Sequence, residues 1–255
     1  MGTVSFPQAV LREPHRKLDL RLQWKGKTLV VERILSQSDI AIVFCAKLEG
    51  GERCIVKVFP ILEMRGFYRY GFRSELHVYR KLRHISGTVG PRFLGSCNTT
   101  RLIYPSDCRI PEEERLCGDQ KAIMLQYLDG EILTPYNFTP ELGEKALQGL
   151  KRLHEISILH GDLQNDYWVR NVMVLKDGSI KWFDFEHSLV DGEIREGLIE
   201  REWAFAMQTL GPDGYMKKTR ISPLCKLNNS DEQQQRVAVE EDSMEYPLTP
   251  VETAS

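Results

Sequence analysis

The sequence predicts an α+β fold, strand-rich in its first half and built from helices and short hairpins in its second. Three observations predict it. Apolar residues alternate or run together over 20–34, 40–48 and 54–59, as strands require. A helical period takes over in 72–84 and again from Thr139. Glycine-bearing turns, Glu49-Gly50-Gly51-Glu52 and Lys176-Asp177-Gly178, separate the paired strands.

In chain order, Leu29, Val30 and Val31 mark the first strand region, and Ile40, Ile42 and Phe44 the second. The glycine turn at 50–51 folds the second region back onto Cys54-Ile55-Val56-Lys57-Val58-Phe59 as a hairpin. Over 72–84, Leu76, Tyr79 and Leu82 fall on one helical stripe. Ala122 to Tyr127 reads as a further strand, closed by Asp129-Gly130. Thr139 is placed to cap a helix that has Pro140 at its first position and Leu142, Ala146, Leu150 and Leu153 on its buried face. Val172–Leu175 and Ile180–Phe183 form a hairpin around Asp177-Gly178, and 194–210 reads as a last amphipathic helix ending at Gly211-Pro212.

Composition narrows the function classes. The chain has 255 residues and a net charge of −2, which gives no sign of a nucleic-acid or membrane surface. No apolar run approaches the roughly 18 residues of a membrane span, and no signal-peptide pattern opens the chain. The six cysteines (Cys45, Cys54, Cys97, Cys108, Cys117 and Cys225) contain no CxxC pair and read as free thiols, with Cys45 and Cys54 as small core residues. Cytoplasm or nucleus is the default compartment on these grounds.

The chemistry is concentrated in Leu159-His160-Gly161-Asp162-Leu163, in Arg170-Asn171-Val172-Met173-Val174, and in Ile180-Lys181-Trp182-Phe183-Asp184-Phe185-Glu186. An Asp behind a His, an Asn opening a strand and an Asp closing another are what phosphoryl transfer needs. One carboxylate stands near an acceptor hydroxyl, and an amide and a carboxylate hold magnesium on the phosphates. Upstream, Lys57 lies in a strand and Glu75 follows 18 residues later in a helix.

The order Lys57, Glu75, His160/Asp162, Asn171, Asp184 resembles the protein-kinase-like superfamily over about residues 25–210. The Gly161 and Glu186 variants are similar to its aminoglycoside- and choline-kinase side. The resemblance implies a two-lobed fold, with a small β-rich N-lobe at 21–128 and a shortened helical C-lobe at 129–212. A 1–20 extension precedes them and a disordered tail at 213–255 follows. It also implies ATP and Mg2+ as cofactors. Lys57, aimed by Glu75, grips the phosphates, and Asp162 acts as the base toward the acceptor. Asn171 and Asp184 are the metal ligands, and backbone groups of Leu125 to Leu128, notably Gln126 and Leu128, contact adenine. Asn165 and Asp166 could substitute as ligands or face water, and water is the favoured reading.

Four departures shape the expectation. Eight residues separate Asp162 from Asn171 where the family has four, which loosens the expected position of Asp162. No glycine occurs between Leu35 and Phe44, where the family covers the phosphates with glycines; Ser36 and Ser38 could donate there and Asp39 would repel. Gly161 replaces an Arg and Glu186 a Gly, so no activation-loop switch is expected. The chain after Asp184 lacks a peptide-docking subdomain, so the acceptor is a hydroxyl on a protein or a small molecule. The alternative is a pseudokinase, a nucleotide- or protein-binding scaffold without turnover. Its tail, with Ser222-Pro223 and Thr249-Pro250, would then contact a protein partner.

Overall fold

The computed structural model describes residues 20–38, 41–59, 68–85, 87–103, 120–165, 168–214 and 216. The expected N-terminal extension, the tail with its Ser-Pro and Thr-Pro pairs, Asp39, Asp166 and three of the cysteines lie outside them.

The fold is α+β. Its first half is a closed antiparallel barrel made of β1 (Arg21–Trp24), β2 (Lys27–Gln37), β3 (Ile42–Lys47), β4 (Arg53–Phe59), β5 (Phe93–Ile103) and β6 (Gln120–Gln126). The order around the barrel is β1-β2-β3-β4-β6-β5, and β5 pairs back onto β1. Helix α1 (Tyr68–Lys81) lies between β4 and β5 in the chain and continues into the 3₁₀ turn Leu82–Ile85. Strand alternation divides the residues into two cores. Leu22, Phe44, Val56, Val58, Ala122 and Met124 fill the barrel. Their odd-numbered neighbours Phe59 and Ile123 face outward and join Tyr79, Leu150, Trp182 and Phe185 in the larger core.

The second half begins with β7 (Gly130–Ile132) and α2 (Pro140–Glu155). Thr139 caps α2 as expected, accepting from Leu142 N at 3.2 Å. Ala146, Leu150 and Leu153 are buried along its stripe. Short strands β8 (Ile158–Leu159), β9 (Gln164–Asn165), β10 (Trp168–Val169), β11 (Val172–Leu175), β12 (Ile180–Trp182) and β13 (Leu189–Val190) follow, and then α3 (Leu198–Leu210). The order β12-β11-β7 makes one small sheet, and β8 pairs with β13. Trp182 Nε1 donates to Ala146 O at 3.0 Å and ties that sheet to α2.

Several expected boundaries move. The first strand region is two strands, because Lys25 and Gly26 both take positive φ and turn the chain in two residues. The first helix begins before residue 72 and gives way to 3₁₀ at Leu82. The last helix starts at Leu198 rather than 194, after Gly197 at φ 75 breaks the helical run. Strand β5 has no counterpart in the sequence reading. Its register shifts at Phe93/Gly95 and Cys97/Thr100 break the alternation that marks a strand. Cys45, Cys54 and Cys97 are buried. Among the described residues no helix is long and apolar enough to cross a membrane.

Candidate active site

Because Val56 and Val58 point into the barrel, Lys57 between them points out, toward α1 and a cleft between barrel and helices. Its ammonium is buried and meets three carboxylates: Glu75 of α1 at 2.9 Å, Asp184 at 2.5 Å and Glu186 at 2.9 Å. One positive charge among three carboxyl groups leaves negative charge in excess, and the buried groups share it unequally. Burial raises Glu75 to about 7 against the pull of Lys57. Burial also works against Asp184, but the charge and hydrogen bond of Lys57 prevail and hold it below the usual carboxylate range, with Arg170 adding a smaller pull. For Lys57 burial opposes the charge, and Glu75, Asp184 and Glu186 together overcome it and hold the ammonium well above its ordinary value. Oxygens of these three carboxylates lie within 4.8 Å of one another, close enough to hold a metal ion. A cation there would compete with Lys57 for the same atoms.

Asp162 and Asn171 form the second half of the site. Asn171 Nδ2 donates to Asp162 O at 2.9 Å and to Asp162 Oδ2 at 3.0 Å. Both partners are acceptors, so the amide orientation is fixed and Asn171 Oδ1 is left as an oxygen donor for a ligand. An amide oxygen is a hard donor, and the carboxylates close enough to share one cation are those of Glu75, Asp184 and Glu186. The eight residues between Asp162 and Asn171 include β9 and β10. These pair antiparallel as Trp168↔Asn165 and Val169↔Gln164, and Arg170 N donates to Leu163 O at 2.9 Å to close the base. Asp162 thus lies beside Asn171 across this loop. The Asn165 and Asp166 side chains lie outside the described residues.

Backbone strain coincides with chemistry. Asn171 (φ 64) and Asp184 (φ 63) are both left-handed, a conformation that Asn and Asp tolerate best among non-glycine residues. Phe183 N donates to Asn171 O at 3.0 Å, so the two stretches hold each other in register.

The loop carrying Asp162 is anchored from behind. Glu202 of α3 accepts from Gly161 N at 2.7 Å and His160 N at 3.1 Å, and its other close neighbour is His154 Nε2 at 2.7 Å. His160 is buried, which pushes it below its ordinary value. It sits 3.1 Å from Phe183 O through Nε2, so its proton belongs there. Gly161 has φ +79, and a Cβ would come within 2.3 Å of His187 O. Only glycine fits.

The cleft beside Lys57 has a volume of about 390 Å³, within the range usual for small-molecule sites. Val43 and Ile55 line it from the barrel, and Met173 and Phe183 from the other side. Gln126 and Leu128 line its edge. Gln126 N bonds Arg92 O, while among the described residues no backbone hydrogen bond engages Leu128.

Of the seven residues expected to build the site, Lys57, Glu75, Gln126, Leu128 and Asp184 line the cleft, and Asp162 and Asn171 are not among its lining residues. Lys57, Glu75 and Asp184 are in direct contact, Asp162 and Asn171 are in direct contact, and Gln126 and Leu128 stand at the cleft edge. Three partners were not foreseen. Glu186 contacts Lys57, Arg170 contacts Asp162 at 2.5 Å, and Glu202 holds the loop. Glu202 was detectable in principle, because it shares the i, i+4, i+8 stripe of the buried Ala206 and Leu210. A carboxylate on such a stripe calls for internal donors. No family model matches this chain, and no curated protein matches it.

Proposed function

We propose that the protein is an ATP- and Mg2+-dependent phosphotransferase with a two-lobed, protein-kinase-like fold. The barrel with α1 is the small lobe and the remainder a shortened helical lobe. The observation that carries this reading is Lys57 fixed between Glu75 and Asp184, next to an Asn171–Asp162 pair, at the end of a cleft with apolar walls. A flexible lysine stem aims at phosphates only when a carboxylate holds it, and here one does. Val43, Ile55, Met173 and Phe183 form faces suited to a flat base, and the unengaged Leu128 backbone suits its polar edge.

In the reaction, Asp162 accepts the proton of the acceptor hydroxyl. The hydroxyl oxygen forms a bond to the γ-phosphorus as the bond from phosphorus to the bridging oxygen breaks, and ADP departs with that electron pair. Lys57 neutralises phosphate charge, and Asn171 Oδ1 with Asp184 would hold magnesium. The metal supplies charge neutralisation on the phosphate oxygens. With a reduced second half, the acceptor is a small molecule or an exposed protein hydroxyl.

A thermal-shift titration with ATP, with and without magnesium, tests this reading. Ligand at 100 times its dissociation constant stabilises by about 2.7 kcal/mol, a shift of about 5–11 °C in a chain of this size. Asp184→Ala is expected to abolish the magnesium-dependent part. A parent protein unmoved by millimolar Mg-ATP would sink the nucleotide reading. A second reading, a nucleotide-binding scaffold without turnover, is favoured by one observation: Lys57 and Asp162 are both engaged by neighbours, Glu186 and Arg170. Binding of Mg-ATP without phosphate release would select it.

A further inference from the structure

A second cavity, of about 260 Å³, shares no lining residue with the cleft. One wall is α2, which contributes Lys145, Gln148, Gly149 and Arg152. Their spacing of three, four and seven residues places them on one face of the helix. The turn Asp177-Gly178-Ser179 between β11 and β12 supplies the facing wall, and Thr88 completes it. A Cβ on Gly149 would come within 2.9 Å of Trp182 Nε1. Close packing therefore requires glycine there, and it leaves the helix wall bare between Lys145 and Arg152.

The cavity carries an excess of positive charge. Lys145 Nζ donates to Gly178 O at 2.8 Å, which uses one of the three donors of an ammonium. Arg152 is exposed, and among the described residues no carboxylate contacts it. Next to Thr88, Lys181 is only 9% exposed. Its ammonium donates to Gly87 O at 2.5 Å and to Thr88 O at 2.9 Å. Both partners are carbonyls, so they satisfy hydrogen bonds without cancelling the charge. The carboxylate in the lining is Asp177, whose Oδ1 is held by Ser179 N at 2.9 Å. Glu144 accepts from Gln148 Nε2 at 3.2 Å but does not line the cavity.

Bracing accounts for Lys145 and Lys181, which tie α2 and the 87–88 backbone to their neighbours. It leaves Arg152 without a task. Like charges gathered in this way repel one another, and a bound anion removes that cost. An arginine fork beside a lysine point charge suits the oxygens of a phosphate group. A dianion would neutralise both lining cations, and the volume leaves room for an organic stem as well.

We propose that this cavity binds a phosphate monoester, with Arg152 and Lys145 on its anionic oxygens. No residue of the cleft takes part, so the site stands or falls independently of the phosphotransferase reading.

The test is calorimetric titration of the full chain at low salt and above about pH 7, where a phosphate monoester is largely dianionic. The probes are glycerol phosphate, a phosphoserine peptide and, as the neutral control, glycerol. We expect saturable one-to-one binding of a phosphate-bearing probe and none of glycerol. Arg152→Gln and Lys145→Gln should each weaken it by about tenfold or more, the worth of one charge-assisted hydrogen bond. Asp177→Asn keeps an acceptor for Ser179 N and removes the opposing charge, so it should tighten binding. All three positions lie on the surface of the cavity, and matching melting midpoints would verify that the variants fold. Tighter binding of the peptide assigns a phosphorylated protein as the source, and tighter binding of glycerol phosphate assigns a small metabolite. Absence of saturable binding would overturn the proposal. So would binding that Arg152→Gln and Lys145→Gln leave unchanged, which would place the phosphate elsewhere, or binding that Asp177→Asn weakens.

Discussion

Glu75 shows how a single buried carboxyl can set a pH dependence. In the folded chain it holds a proton up to about pH 7, whereas its ordinary value is 4.5. Between those values the folded state binds more protons than the unfolded state, so its contribution to stability falls as pH rises. Melting midpoints of the parent and Glu75→Gln, measured from pH 4.5 to 7.5, should show the parent losing stability relative to the variant as pH rises. Parallel profiles would mean that Glu75 stays ionised throughout. The pairing of Glu75 with Lys57 was expected only through the resemblance carried by the order of these residues with Asp162, Asn171 and Asp184, and the two side chains lie 2.9 Å apart. The proton on Glu75 was not legible in the sequence. That depends on Asp184 and Glu186 converging on the same ammonium, and Glu186 is distant in sequence from both Lys57 and Glu75.

At the scale of elements, α3 acts on the site from behind through one side chain. Glu202→Ala would orphan the backbone N–H of the buried His160, at about 1–3 kcal/mol for a buried group left unpaired, while the exposed Gly161 N–H turns to water. A lower urea midpoint with unchanged slope is the expected result, and phosphate release should fall with it because the loop carrying Asp162 loses its anchor. An unaltered midpoint would show that water replaces the carboxylate. Elements with clean periodicity were legible: β4 by its alternation, α2 by its cap at Thr139 and stripe through Leu153. Elements defined by distant partners were not. Strand β5 is interrupted by two register shifts, and β8 and β13 are two residues each, recognisable only because each has the other to pair with.

Across the whole molecule, Lys57 joins the two halves. It reaches from the barrel wall to Glu75 on α1 and to Asp184 and Glu186 beyond β12. Lys57→Met would leave three carboxyl groups facing one another with no cation, and breaking a buried pair of this kind costs about 3–5 kcal/mol. Equilibrium denaturation should show that loss. A variant as stable as the parent would mean that protons on the carboxyls replace the lysine charge. The hairpin of β9 and β10 has a different consequence, one that concerns descent rather than energy. Two paired strands leave a chain where they found it, so residues inserted at their tip lengthen the loop without separating Asp162 from Asn171. Loop length and site geometry are thereby free to drift apart over generations. Kinship among such chains is better sought in the hydrogen bonds between these two residues than in the number of residues that separates them.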